Sequence, residues 1–352
     1  MSTRLLTTLL LSLSALAALA APRPASAAVT CTVDRSIYTV TITGAGTIAG
    51  NGGDDVGCPP AGDDDVTMGA GADLVDGGPG NDKLRGGDGD DKLIGGDGVD
   101  AVAGQDGNDT LSGDAGNDKI TLGAGDDIAY GGEGNDRIYG EDGTDSIYAG
   151  PGNDSVSANA GGDTLYGEVG DDKLVGGTGA DYFMGGDGDD RMYGQEDNDN
   201  LDGSPGADYL SGNAGNDYTH GGAGDDDHNL GEGDDHANVY SSEDPGANVI
   251  DGGPGLDSIM GGPDAERLLG GADDDGIYAG DGDDQIDGGD GNDFLSGLDG
   301  DDAIAGGAGN DTLHGYGDDD ALSGGDGPGD TCYGDDGTDT ADTTCEGIIG
   351  VP

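Results

Sequence analysis

Apolar and polar positions along this chain alternate on a long, strict period. From Pro59 to Asn238 the sequence divides into 20 consecutive windows of nine residues, and the eighth position is a large apolar residue in 16 of them, including Val66, Leu84, Ile120, Leu165, Phe183 and Leu210. The exceptions are Ala129, Thr219, His228 and Ala237, three of them clustered at the end of the run. Glycine gathers at positions 1, 2 and 4, where it permits positive φ and close approach of loop carbonyls. One large apolar residue per window, set among glycines, makes each repeat a unit that cannot bury its apolar residue alone and must stack on its neighbours, as repeat architectures do. Four inserted residues, 239–242, interrupt the count; nine windows follow from Glu243 to Ser323, and an insertion near Pro328 shifts the last two, for 31 windows in all.

Composition changes the picture by adding a requirement. Gly and Pro supply 92 of 352 residues, Trp is absent, and the formal net charge is -64. A chain of this kind stays unfolded unless something neutralises it. The acid is also of one kind, 67 Asp against eight Glu, and a short carboxylate beside a tight turn suits backbone-assisted metal coordination. It recurs at position 6: Asp64, Asp73, Asp82, Asp91, Asp100, Asp109, Asp118, Asp127, Asp136, Asp145, Asp154, Asp163, Asp172, Asp181, Asp190, Asp199, Asp208, Asp217, Asp226 and Asp235 in the first array. The second array carries Asp257, Asp275, Asp284, Asp293, Asp302, Asp311, Asp320, Asp330 and Asp339, with Asn248 and Glu266 in the same position.

The consensus is G-G-x-G-x-D-x-U-x with U a large apolar residue. Windows such as GGPGNDKLR (77–85), GGEGNDRIY (131–139) and GGDGNDFLS (288–296) closely resemble the RTX, or haemolysin-type, calcium-binding nonapeptide family. The resemblance implies an all-β fold, a parallel β-roll (β-solenoid) with two nonapeptides per turn, each nonapeptide one Gly-rich loop plus a short strand of about three residues, and each ion bound between loops two windows apart by position-6 carboxylates and loop carbonyls. An oxygen-only donor set favours Ca²⁺ over zinc or copper. About 29 ions, or roughly +58, would nearly match the acid, an upper estimate for six-or-more-oxygen sites. Without Ca²⁺ the repelling loops should leave the chain disordered; with it the expected product is a rod of about 15 turns.

The ends read differently. Arg4, the apolar run from Leu5 to Ala21 and the small residues Ala25, Ser26 and Ala27 make residues 1–27 a secretory signal, so the protein is expected outside the cell. Residues 28–58 are expected to form an N-terminal β cap, 59–238 and 243–342 the two arrays, and 343–352 a C-terminal tail. Four cysteines allow three connectivities. In a long rod Cys31 and Cys345 fall at opposite ends, so Cys31–Cys58 and Cys332–Cys345 are the expected bridges.

No nucleophile elbow, H-E-x-x-H or EF-hand loop is present. His220, His228 and His236 occupy positions 9, 8 and 7 of successive windows and are not expected to converge. The chain therefore reads as a non-enzymatic calcium-binding scaffold or surface component, with a calcium-dependent adhesin or polysaccharide-binding module as the alternative and a polysaccharide-active β-helix enzyme behind it. Nucleic acid and a membrane span are not expected. An 18-residue turn sets Lys83, Lys119, Arg137, Lys173 and Arg191 on one outer face. It sets Ile94, Ile128, Tyr130, Tyr148, Tyr166, Tyr182 and Met184 on the other, and Tyr130, Tyr148 and Tyr166 are the candidate surface for a polysaccharide or a second copy. The weakest part of the rod is expected between 219 and 251.

Overall fold

The computed structural model describes residues 41–42, 47–50, 52–239 and 245–350. The signal segment 1–27 and Cys31 lie outside the described residues. Within these residues every regular element is a strand, and no helix is long and apolar enough to cross a membrane.

Each strand pairs in parallel with the strand two further along the chain. Val66 lies opposite Leu84, and Leu84 opposite Val102, so one turn takes 18 residues. The intervening windows make a second ladder, in which Leu93 faces Leu111. The result is a parallel β-roll of two facing sheets, one of 18 strands and one of 17. One, here the tyrosine sheet, contains Leu74–Pro79, Lys92–Asp97 and Ile128–Glu133. The other, the lysine sheet, contains Asp65–Ala70, Lys83–Asp88 and Lys119–Ala124.

Typical strands are six residues long rather than three. They run from position 7 of one window to position 3 of the next, as in Lys83–Asp88 and Arg137–Asp142. The glycines that suggest a loop still pair through their backbones, as Gly87 does with Gly69 and Gln105. At position 4, Gly98 holds φ +151, and a Cβ there would overlap the carbonyl of Gly80 one turn back, so a side chain is excluded. The ladders also run past the 15 turns expected. Thr47–Ala49 pairs with Asp65–Thr67, and Gly347–Ile349 with Thr331–Tyr333, so residues outside the consensus continue the same stack.

Position 8 fills the core: Leu84, Leu93, Ile120, Ile147, Leu174 and Phe183 are fully buried, each worth roughly 1.5–3 kcal/mol against exposure. Position 1 faces inward as well. Leu122 and Leu230 at that position are buried in the windows whose position 8 is only Ala129 and Ala237, so the opposite sheet supplies the missing volume. Two of the four exceptions are thereby repaired. Thr219 and His228 are not, and the apolar core divides there, one cluster ending at Leu210 and the next beginning at Leu230. The pairing register also widens here, from 18 residues to 22, as His228 meets Ile250 and Ala237 meets Ile259. Past the insertion the stack resumes, as Val249–Pro254 pairs with Arg267–Ala272.

Candidate metal site

Position 6 precedes each strand, where the chain turns from loop to sheet. Every Asp identified there, from Asp64 to Asp339, is at most 4% exposed, although carboxylates are almost never fully buried without partners. The backbone holds them inward. Asp64 N–H donates to Asp82 Oδ1 at 2.8 Å and Asp82 N–H to Asp100 Oδ1 at 2.6 Å, and the pattern repeats through Asp302 N–H to Asp320 Oδ1 at 3.0 Å. Position-6 residues of alternate windows therefore form two ladders, one along each edge of the roll, with rungs 18 residues apart that widen to 22 across the insertion and to 19 near the C-terminal end, and with a break at Glu266, whose carboxylate accepts no N–H from the rung before it.

The second carboxylate oxygen is left over. Oδ2 of Asp82, Asp91, Asp100, Asp118, Asp154, Asp208, Asp284 and Asp320 is buried with no hydrogen-bond partner. Position-1 glycine shows where it points. A Cβ on Gly77 would lie 2.5 Å from Asp82 Oδ2 and 2.6 Å from the carbonyl oxygen of Gly95, one turn on. On Gly140 it would lie 2.5 Å from both Asp145 Oδ2 and the Ala158 carbonyl, and on Gly252 2.5 Å from both Asp257 Oδ2 and the Gly270 carbonyl. The glycines thus keep clear a cradle lined by one carboxylate and one carbonyl from adjacent turns. This all-oxygen donor set fits a hard cation such as Ca²⁺.

The electrostatics state the same demand. Burial raises these carboxyls; the N–H of the preceding rung pulls them down, and neighbouring aspartates push them up again. Asp100 and Asp127 are pushed up to about 6, Asp91 and Asp118 to about 7, and Asp154, Asp199 and Asp208 to about 8. A ladder in this state takes up protons or cations near neutral pH. Glu266 is pushed up further, to about 9, by burial first and by the neighbouring Asp284 second. Asn248 keeps the rung without the charge, its Oδ1 accepting from Asp226 N–H at 2.9 Å.

One position-6 residue escapes a sequence count. Asp55 is fully buried, and its N–H donates to Asp73 Oδ1 at 2.6 Å. It lies nine residues before Asp64, but Gly57 occupies its window's position 8 and hides the repeat.

The other candidates separate. Cys332 and Cys345 form a buried disulfide with Cα atoms 5.8 Å apart. Cys58 is disulfide-bonded, and the expected partner Cys31 lies outside the described residues. Tyr130, Tyr148 and Tyr166 do form one ladder, with centroids 5.2 and 4.8 Å apart and planes within 12° and 6° of parallel. Their ring faces are therefore turned on each other. The opposite face is not purely basic: Lys119 and Lys173 lie over the rings of Tyr139 and Tyr193, at 5.4 and 5.7 Å. The histidines diverge, as their positions imply. His220 approaches Asp202 at 3.6 Å and His236 packs on Tyr218, whereas His228 is buried in the core, where loss of hydration pushes its imidazole down to about 3.

Comparison with known families agrees with this geometry. The model described as RTX calcium-binding nonapeptide repeat (4 copies) matches in overlapping segments that cover 68–227 and 244–328. The gap between them begins at His228 and contains the insertion. No curated protein matches the chain.

Proposed function

Because the chain belongs to the RTX calcium-binding nonapeptide repeat family, we propose that it is a secreted, non-enzymatic scaffold or surface protein that calcium folds into the β-roll. The observation that carries this reading is the buried row of carboxylate oxygens without hydrogen-bond partners, such as those of Asp82, Asp118 and Asp208, which face a carbonyl of the adjacent turn across a cradle closed to side chains. The position-6 aspartates from Asp64 to Asp339, together with Asp55, would hold the ions, with carbonyls of the adjacent turn completing the oxygen shell. Bound calcium would supply positive charge between carboxylates that otherwise repel. Extracellular calcium is abundant, so the chain would cross the membrane unfolded and fold outside.

The tyrosine ladder supports polysaccharide binding less well. Sugars stack on open aromatic faces, and here those faces cover one another, which favours cross-strand support of the sheet. Among the described residues no inserted loop builds a catalytic cleft over either sheet, which favours the scaffold over the enzyme.

The test is calcium-dependent folding of the mature chain. Far-UV circular dichroism should show a cooperative gain of β structure with a midpoint of about 0.1–1 mM Ca²⁺, the weak extracellular range. Mg²⁺ should fail at the same concentrations, because its rigid octahedral shell does not suit these loops. Equal folding in Mg²⁺ would remove the calcium reading, and glycan-dependent retention of the folded chain would favour the adhesin.

A further inference from the structure

The geometry points to a second kind of metal site within the roll: a single nitrogen–oxygen site for a first-row transition-metal ion of the zinc class, built from His228 and Asp226. His228 stands at position 8 of its window, where fourteen other windows carry Val, Leu or Ile in the first array alone, and it is fully buried between Leu210 and Ile250 on the lysine sheet. Across the core Thr219 Oγ1 and His228 Nδ1 share a hydrogen bond of 2.8 Å. The other ring nitrogen, Nε2, has no hydrogen-bond partner.

Its direction is what matters. The space that a side chain on Gly221 would fill is bounded by the Asp226 carboxylate and by His228 Nε2, the latter at 2.9 Å. In windows such as those of Gly77 and Gly140 this cradle brings together a carboxylate and a carbonyl, and at Gly176 a ring carbon of Phe183 reaches it; here what enters is an imidazole nitrogen, which can coordinate. An apolar residue at 228 would close the core, and an unpartnered buried nitrogen is destabilising where it stands. With Nδ1–H donating to Thr219, the Nε2 lone pair faces the carboxylate, which is the arrangement of a metal-bound histidine whose far nitrogen is fixed by a hydrogen bond. Nitrogen and carboxylate donors together select Zn²⁺, Co²⁺ or Ni²⁺ over Ca²⁺. The family match also lapses between residues 228 and 243, a gap that opens where the repeat gives up its consensus side chain.

The experiment uses the full chain in millimolar Ca²⁺, with its fold checked by circular dichroism before any second metal is added. Zn²⁺ is then titrated by calorimetry and Co²⁺ by visible absorption. One tight Zn²⁺ per chain is expected in the presence of excess Ca²⁺, together with a Co²⁺ d–d band. His228→Leu, which restores the commonest core residue and should fold at least as well, is expected to weaken Zn²⁺ binding 100-fold or more and abolish the band. Asp226→Asn should weaken both, and the pair His220→Gln and His236→Gln should change neither. Failure of Zn²⁺ to bind the calcium-loaded chain, or binding that survives His228→Leu, would overturn the proposal. If Ca²⁺ leaves the spectrum unchanged the calcium reading falls, while the Zn²⁺ and Co²⁺ titrations still decide this one.

Discussion

Acid should fold the metal-free roll, and neutral pH should unfold it. In the structure the position-6 carboxylates of one ladder recur at every parallel strand, each held by the N–H of the rung before it. Two unit charges about 4.8 Å apart repel by about 0.9 kcal/mol in water and about 3.5 kcal/mol at an effective dielectric constant of 20. On the order of thirty such neighbours amount to at least about 25 kcal/mol even at the weaker figure, more than the 5–15 kcal/mol that holds a typical domain together. The direction of the pH effect follows from the carboxyls. Their folded values are raised, from the ordinary 3.8 to about 6 for Asp100, about 7 for Asp118 and about 8 for Asp154. Raised groups bind protons more tightly in the folded state, so their stabilisation is complete below the unfolded value and is lost as pH rises through the folded one. In EDTA, far-UV circular dichroism at low micromolar protein should show β structure near pH 4.5–5 that disappears between about pH 6 and 8, with sedimentation velocity confirming a soluble monomeric species. A spectrum that is disordered at both ends of this range, or equally β-rich at pH 8 in EDTA, would refute the argument from buried, repelling carboxylates.

Three further outcomes follow from particular contacts. Gly140→Leu should fill the cradle between Asp145 and the Ala158 carbonyl; it is expected to raise the calcium midpoint and to cost about 1–3 kcal/mol by overpacking, read from calcium titrations and thermal melts. Limited proteolysis at intermediate Ca²⁺ should cut first within 219–251, where the core divides at Thr219 and His228 and the register widens, whereas a first cut inside 77–210 would contradict this. Replacing Tyr130, Tyr148 and Tyr166 by Ser should lower the melting temperature, by about 0.5–1.5 kcal/mol for each stacked pair lost, and leave the calcium titration nearly unchanged.

The period was the legible part, and for a physical reason. Parallel stacking forces residues 18 apart onto one another, so any side chain that must point inward recurs visibly, as Val66, Leu84 and Val102 do, and so does any carboxylate that must enter the loop. What stayed hidden depends on two positions at once. Ala129 looks like a gap until Leu122 is placed opposite it, and Asp55 looks like part of a cap because Gly57 replaces the apolar marker. Strand length was underestimated because glycines at positions 1 and 2 pair through backbone alone. The tyrosine ladder was placed on the correct sheet, but the orientation of its rings is a rotamer choice made by stacking, which no spacing encodes. His228 showed in the sequence only as an exception; its contact with Thr219 and its approach to Asp226 needed three dimensions.

The most direct measurement of the central claim is anomalous diffraction from crystals grown in Ca²⁺, with data collected where calcium scatters anomalously. Rows of peaks are expected along both edges of the roll, spaced by the strand separation of about 4.8 Å, each beside a position-6 Oδ2 and a carbonyl of the adjacent turn. Peaks confined to the outer faces, or carboxylates still buried with no peak beside them, would contradict it.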